Sequence, residues 1–373
     1  MSLNKRVLNV GQALRPASLP REYQRNSAAI ARAPSYGPDM DGIQQSVDEL
    51  AKRTGFSGAV RVDNPTGTLL AVAYGFAHRA HHVANTVDTR FAIASGVKGM
   101  TALTIAGLIR DGLLSFDTTA RAVLGSELPL IDDEVTVEHL LAHRSGIGDY
   151  LNEGPGLEIT DYVLPVPVHE LASTEQYLRV LDGHRQVFRP GEKFAYCNAG
   201  YVVLALLAER CSSQPFPELL RSLVCEPAGL SDTAFLRNDE LPTGTATGYL
   251  TQVSPRSNVL HLPVVGSGDG GIYSTVADQQ LLWDALFSGR ILTPQGVEYL
   301  VRPRSDVPAE SARYGLGFWL HPTTSAVRLE GYDAGVSFRS VHNPDSGLTY
   351  TVVSNTSEGA WPIARHLAEV LEI

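Results

Sequence analysis

The sequence predicts an α/β plus all-α fold, in which an antiparallel sheet flanked by helices carries an inserted helical domain. Strand patterns occur near both ends of the chain, within residues 58–77 and 314–354, where apolar runs are separated by turn residues. Helical patterns dominate the region between them. We therefore expect residues 41–93 and 308–373 to form one discontinuous α/β domain, and residues 94–307 to form a mainly helical domain.

Residues 1–40 are predicted to be an N-terminal basic arm. Prolines interrupt any long helix there, and the only acid within residues 1–38 is Glu22. The basic residues of this stretch are Lys5, Arg6, Arg15, Arg21, Arg25 and Arg32. We expect the arm to lie on the acidic body of the protein, and the alternative is a tail that binds a partner.

The α/β domain is predicted to begin with a helix and a pair of strands and to end with a helix. Asp41 is a suitable N-cap for a helix with apolar residues on one face. The turn Asn-Pro-Thr-Gly at residues 64–67 separates strands at 58–62 and 69–77. Residues 360–372 carry apolar side chains at helical spacing and close the chain.

Composition excludes several classes of function. The net charge of −10 over 373 residues argues against a nucleic-acid partner, which requires a basic surface. No apolar run approaches the roughly 20 residues of a membrane-spanning helix. Three cysteines form neither a disulfide framework nor a C-x-x-C site, and we expect no metal. Residues 1–20 lack the apolar core of a secretory signal, so we expect a cytoplasmic protein, or a secreted or periplasmic one if a signal peptide has been removed.

The chemistry is predicted to centre on Ser95 and Lys98, at the start of a long apolar-periodic helix. A separation of three residues places both side chains on one helix face. A serine hydroxyl becomes a nucleophile when a neighbouring base takes its proton, and a desolvated lysine can be that base. The chain contains only four lysines, but a Ser-x-x-Lys pattern alone is weak, since a capping serine followed by an exposed lysine produces it too.

Two further motifs follow in a fixed order: Tyr196-Cys197-Asn198 before a buried helix, and Glu330-Gly331-Tyr332-Asp333-Ala334-Gly335 before a strand pair. With Ser-x-x-Lys, they resemble the penicillin-recognising serine hydrolase family, specifically its class C β-lactamase, DD-peptidase and family VIII esterase branch. Members carry Ser-x-x-Lys, Tyr-x-Asn and a Lys- or His-x-Gly element. The resemblance covers about residues 40–373 and implies a β-lactamase-like fold.

The resemblance also implies roles for individual residues. Ser95 would form an acyl-enzyme, and Lys98 and Tyr196 would share the work of the general base, in an order that the sequence leaves open. Asn198 would hydrogen-bond Lys98 and the substrate. The oxyanion would be bound by the backbone N–H of Ser95 and that of Gly335 or Val336. No cofactor is implied.

The third motif departs from the family pattern, because Tyr332 stands where relatives usually present Lys or His. That cation helps to bind the carboxylate of β-lactams and D-Ala-D-Ala peptides, and a phenol offers no charge. Ala334 replaces the glycine of the motif. Arg339 could supply the missing cation if its side chain faces the cleft.

We therefore predict a serine hydrolase that acts on small esters, amides or peptides, with weak or absent β-lactamase activity. The first alternative is a true class C-like β-lactamase or DD-carboxypeptidase. The second is a non-catalytic sensor that resembles a penicillin-binding protein. An unrelated serine hydrolase with the G-x-S-x-G elbow is disfavoured, because no complete elbow occurs in the sequence.

Overall fold

The computed structural model describes residues 40–151, 159–161 and 163–373. Its strands are β1 (Gly58–Asn64), β2 (Gly67–Tyr74), β3 (Phe76–His78), β4 (Val83–Ala84), β5 (Phe91–Ala92), β6 (Ala234–Phe235), β7 (Ile272–Ser274), β8 (Ser305–Val307), β9 (Ala312–Tyr314), β10 (Trp319–Leu320), β11 (Val327–Asp333), β12 (Val336–Asn343) and β13 (Leu348–Ser354).

Eight of these strands form the main sheet, in the order β2-β1-β13-β12-β11-β10-β9-β8. Every neighbouring pair in it is antiparallel. Strands from the two ends of the sequence meet where β1 pairs with β13, for example through Gly58 and Ser354. The predicted antiparallel sheet, assembled from both ends of the chain and flanked by helices, is therefore confirmed.

The α-helices are α1 (Met40–Thr54), α2 (Val97–Arg110), α3 (Ala120–Leu124), α4 (Val137–Leu141), α5 (Leu178–Leu181), α6 (Asn198–Ser212), α7 (Phe216–Leu220), α8 (Glu226–Ala228), α9 (Val276–Phe287), α10 (Pro294–Leu300) and α11 (Ala360–Leu371). Most of them lie between β5 and β8 in the sequence, as the helical middle region predicts.

The sheet separates two apolar cores because successive strand residues point to opposite faces. Val60 and Val352 face a core shared with α1 and α11. Their neighbours Ala59 and Val353 face a larger core that contains the buried helices α2 and α6. The functional side of the molecule lies in this second layer, where a small sheet of β5, β7 and β6 leads into α2.

The division into domains stays a prediction, with one adjustment in detail. Strand β8 (Ser305–Val307) already belongs to the main sheet, so sheet structure begins just before the predicted boundary at residue 308. The predicted basic arm lies outside the described residues, apart from Met40 at the start of α1.

Membrane spans, metal sites and disulfides were all expected to be absent, and the described part of the chain bears on each of them. None of the helices placed there is long and apolar enough to cross a bilayer. Within the same residues, no group of three or more His, Cys, Asp and Glu side chains is arranged to hold a metal ion. Cys197, Cys211 and Cys225 are all free thiols.

The core under α11 yields a stability prediction. Leu367 is fully buried, whereas Val370 on the same helix is 39% exposed. We expect Leu367→Ala to lower the free energy of unfolding by about 2–5 kcal/mol, because it removes buried methyl groups and leaves a cavity. Urea denaturation measures the change. Val370→Ala is the control and should cost much less, and an equal loss in both variants would contradict this description of the core.

Candidate active site

The nucleophile candidate lies on a tight turn between β5 and α2. Ala94, Ser95 and Gly96 form one turn of 3₁₀ helix, and α2 begins at Val97. Ala94 has a φ of 44°, in the left-handed region that residues with a side chain rarely adopt. Such a backbone persists only where the surroundings enforce it, and here it directs the chain sharply into the helix.

Lys98 is brought to Ser95 as the sequence predicts. Its Nζ lies 2.9 Å from Ser95 Oγ. The same Nζ donates to Asn198 Oδ1 at 2.9 Å and to the backbone carbonyl of Asp269 at 2.7 Å. The side chain is only 2% exposed, and a buried amine requires such acceptors. Three segments far apart in sequence therefore converge on one nitrogen.

Tyr196 is also in the site, on the loop before α6. Lys98 Nζ lies 5.0 Å from the centre of its ring. The ring packs against His143, with centroids 4.3 Å apart, and is parallel to Trp319 at 6.2 Å. The predicted set of Ser95, Lys98, Tyr196 and Asn198 is thus assembled around one point.

His143 supports the loop that carries Tyr196, a role that the sequence did not reveal. Its Nδ1 accepts a hydrogen bond from the Cys197 N–H at 3.1 Å. Burial lowers the pKa of His143 well below its usual range, and the charge of Lys98 lowers it further. The imidazole is therefore neutral at neutral pH and acts as an aromatic support for Tyr196.

Asp149 anchors the Asn198 end of the site and was also missed. Its carboxylate accepts from the backbone N–H groups of Asn198 at 2.7 Å and Ala199 at 3.1 Å. These donors belong to the first turn of α6, where backbone N–H groups lack partners within the helix. Burial raises the pKa of Asp149, while these hydrogen bonds and the charge of Lys98 oppose the rise. The residue lies in a loop without periodicity, so no local pattern marked it.

The structure changes the register of the third motif. A side chain added at Gly331 would place its Cβ 2.0 Å from the Ile93 carbonyl oxygen and 3.0 Å from the Ser95 nitrogen. Gly331, rather than Ala334, is therefore the glycine that lets the strand touch the nucleophile turn. The residue two positions earlier, where the family has Lys or His, is then Leu329, which is buried against α2. The position that holds Lys or His in relatives is therefore still occupied by an uncharged residue, but that residue is Leu329 rather than Tyr332.

Tyr332 lies at the edge of the cleft. It lines the cavity beside Ser95, and its hydroxyl donates to Glu358 Oε1 at 2.8 Å. A contact between Tyr332 and substrate stays a prediction. Glu358 thereby places a carboxylate beside the Tyr332 hydroxyl at this rim.

The second oxyanion donor also needs correction. The sequence predicted the N–H of Gly335 or Val336, but the Gly335 N–H donates to Ser357 Oγ at 2.8 Å. Val336 lines the cavity, yet it pairs with Asp333 where the β11–β12 hairpin closes. In a hairpin with a two-residue loop, this closing pair exchanges backbone hydrogen bonds.

Hydrogen-bonded and non-hydrogen-bonded pairs alternate along an antiparallel hairpin, and this alternation indicates Tyr332 as the better candidate for the second donor. Tyr332 lies opposite Ser337, in the next pair, whose N–H groups point away from the partner strand. Its backbone N–H is therefore directed to the edge of β11, next to Gly331 and the Ser95 turn. We infer that Tyr332 takes the place predicted for Gly335 or Val336.

Arg339 does not supply the missing cation. Its Nε donates to Glu330 Oε2 at 2.5 Å, and its guanidinium lies 5.5 Å from the centre of the Trp361 ring. Arg339 and Glu330 face each other across β12 and β11. The predicted role for Arg339 is wrong, because the opposing Glu330 holds the side chain in an ion pair away from the cavity.

A cavity of about 300 Å³ opens in front of Ser95. Its wall is largely apolar, with Leu164, Leu236, Leu262 and Val264 among the lining residues. Two carboxylic acids, Asp269 and Asp333, also line it, and none of the described lining residues is Lys or Arg. Tyr150 donates to Asp269 Oδ2 at 2.6 Å, and burial raises the pKa of Asp269 against the lowering effect of Lys98.

Comparisons with known proteins agree on one family. The family model described as Beta-lactamase matches residues 43–373. The crystal structure of a penicillin binding protein from Bacillus halodurans is 32% identical, with a TM-score of 0.81 over 87% of this chain and 99% of that chain.

Curated relatives carry several activities in their names. Esterase EstB of Burkholderia gladioli is 26% identical over 73% of this chain and 76% of its own. A D-aminopeptidase of Brucella anthropi is 27% identical over 85% of this chain but only 59% of its own. The first five relatives are matched over 59 to 76% of their own lengths.

The contact between β11 and the nucleophile turn yields a prediction. We expect Gly331→Ala to reduce kcat for an ester substrate by about 100-fold, the typical cost of misplacing a reacting group by roughly 1 Å. The new methyl group must displace either the strand or the turn. Gly200→Ala is the control, since its Cβ would meet only ordinary contacts, the nearest at 3.6 Å. Normal activity in Gly331→Ala, with unchanged thermal unfolding, would refute the register assigned to this motif.

Proposed function

This chain belongs to the beta-lactamase family and is a serine hydrolase, and on that premise we propose that Ser95 is its nucleophile, acting on small esters, amides or peptides. The membership rests on the match over residues 43–373, which also confirms the resemblance seen in the motifs. The observation that carries the proposal is the 2.9 Å contact between Lys98 Nζ and Ser95 Oγ. It places a base candidate at hydrogen-bond distance from the hydroxyl.

The surroundings of Lys98 suit proton transfer from Ser95. Asn198 Oδ1 and the Asp269 carbonyl oxygen can only accept hydrogen bonds, so each takes one N–H of Lys98. The third side of Nζ faces Ser95 Oγ. It carries a proton when Lys98 is an ammonium and a lone pair when Lys98 is a neutral amine. A neutral Lys98, held in this way, would accept the proton of the Ser95 hydroxyl as the oxygen attacks a carbonyl carbon.

Tyr196 is the second base candidate. A phenol loses its proton readily only when a cation stabilises the phenolate, and the Lys98 nitrogen lies near its ring. The two residues can therefore exchange the proton taken from Ser95 and deliver it to the leaving group. His143 and Trp319, which both pack against the ring, would keep its hydroxyl in place. Which residue is deprotonated first stays open.

The remaining steps use backbone groups and water. The negative charge on the tetrahedral oxygen would be stabilised by the N–H groups of Ser95 and Tyr332, since two preorganised donors typically bind an oxyanion. Collapse of this intermediate expels the alcohol or amine and leaves an ester on Ser95. A water molecule, activated by the same base pair, then hydrolyses that ester and restores Ser95.

The cavity wall supports substrates without a carboxylate near the scissile bond. A carboxylate that enters a cleft exchanges its water shell for charged or multiple donors, and poor compensation is costly. Here the described lining offers two acids, Asp269 and Asp333, one histidine, His261, and a largely apolar surface. Neutral esters and amides carry no such penalty. The esterase and D-aminopeptidase relatives are consistent with this substrate class.

Covalent labelling tests the nucleophile. We expect a fluorophosphonate to add once to the wild-type protein, on the peptide containing Ser95, because only an activated serine reacts at a useful rate. Intact mass and peptide mapping measure the adduct. Ser95→Ala should lose both the adduct and esterase activity, whereas the exposed Ser231→Ala should keep both. An adduct on another serine would move the nucleophile elsewhere.

Substrate choice is tested by comparing kcat/KM for nitrocefin and a p-nitrophenyl ester of a short acid. We expect clear turnover of the ester and weak or absent turnover of nitrocefin, because the nitrocefin carboxylate meets neither Lys nor Arg among the described lining residues. Efficient nitrocefin hydrolysis would contradict the proposal. It would favour the alternative of a true β-lactamase.

A further inference from the structure

Of the two acids that line the cavity, Asp333 lies closer along the chain to the contact between β11 and the nucleophile, two residues after Gly331. Alternate residues of a strand point to the same face, so Asp333 faces the same side as Gly331, which abuts the Ser95 nitrogen. Asp333 lines the cavity together with Ser95. Two strand residues span about 7 Å. A positively charged group bonded close to the scissile carbonyl, plus one hydrogen bond, can bridge such a distance.

The carboxylate of Asp333 is held by its own hairpin. Its Oδ1 accepts the Ala334 N–H at 2.8 Å, in the turn that joins β11 to β12. The orientation of the group is thereby tied to the strand that touches Ser95. A binding group attached to a regular element near the nucleophile is well suited to select substrates.

The charge of Asp333 adds to a negative field at one end of the cavity. Tyr177 lines the same cavity, and its pKa is raised well above the usual range by burial and by the charges of Asp269 and Asp333. Both acids therefore act on a single group inside the cleft. These two carboxylates attract cations and repel anions, while the charge of Lys98 beside Ser95 acts in the opposite sense.

We propose that Asp333 is a specificity-determining residue that binds a substrate ammonium group next to the scissile carbonyl. The preferred substrates are then amides, esters or peptides of amino acids with a free amine, their apolar side chains lying on the leucine and valine wall. This inference rests on the proposed function of Ser95. It goes beyond that function by assigning a charge to the substrate and a residue to its recognition.

The test compares leucine p-nitroanilide with its N-acetyl derivative, in both enantiomers, because acetylation removes only the positive charge. We expect the wild type to prefer the free amine of one enantiomer by at least tenfold in kcat/KM. Asp333→Asn should lower kcat/KM for that substrate by roughly 10- to 100-fold, the worth of one charged hydrogen bond. The acetylated substrate should change by less than about threefold. Glu369→Gln is the control, since it removes an exposed acid of α11 that does not line the cavity, and it should preserve the preference.

A binding measurement separates this inference from the proposed function. In the Ser95→Ala background, titration calorimetry with leucinamide and N-acetyl-leucinamide should show tighter binding of the free amine, and Asp333→Asn should abolish the difference. Equal binding of both ligands, or an equal loss with both substrates in Asp333→Asn, overturns the role of Asp333 even if Ser95 is labelled. Failure of the fluorophosphonate to label Ser95 instead overturns the proposed function, and an amine preference in the calorimetry would then still support Asp333 as a binding residue.

Discussion

The burial of Lys98 is the constraint on which the site depends. An amine that is 2% exposed is stable only if oxygen atoms replace its water shell. Those atoms come from the 3₁₀ turn before α2, the first residue of α6 and the loop before β7. The loop approaches closely because Gly268 lacks a side chain, whose Cβ would lie 2.3 Å from the Tyr201 carbonyl oxygen. One buried nitrogen thus fixes the relative positions of three segments, and the nucleophile is among them.

The parts of the site that the sequence predicted are those set by local spacing and chain order. Ser95 and Lys98 are one helical turn apart, Asn198 begins the buried helix α6 and Tyr196 lies two residues before it, so their placement follows from the helices. The third motif is different, because nothing local distinguishes a strand residue that touches Ser95 from its neighbours. Only the packing of Gly331 against the turn reveals the register, which moves the cation position from Tyr332 to Leu329.

Long-range pairing accounts for the other differences. Arg339 is committed to Glu330 because β11 and β12 place them opposite each other, a relation that depends on the exact hairpin register. Asp149 and Asp269 lie in loops, where no periodicity marks a residue as buried. The sheet was easier to predict, since alternate apolar side chains of β1 and β13 pack into the cores on its two faces. Gly315 and Gly317 lie between β9 and β10, within the region 314–354 that the sequence predicted to hold strands.

The buried acids also bear on the choice of the first base. Lys98 opposes the rise in the pKa of both Asp149 and Asp269, and by reciprocity each ionised carboxylate stabilises the Lys98 ammonium. Burial opposes this effect, because it favours the uncharged form of all three groups. Their protons are therefore coupled, and the state of Lys98 belongs to the cluster rather than to one residue. We therefore propose that ionised carboxylates at Asp149 and Asp269 favour Tyr196 as the first base, and that protonation of one of them favours Lys98, whose nitrogen lies beside Ser95 Oγ.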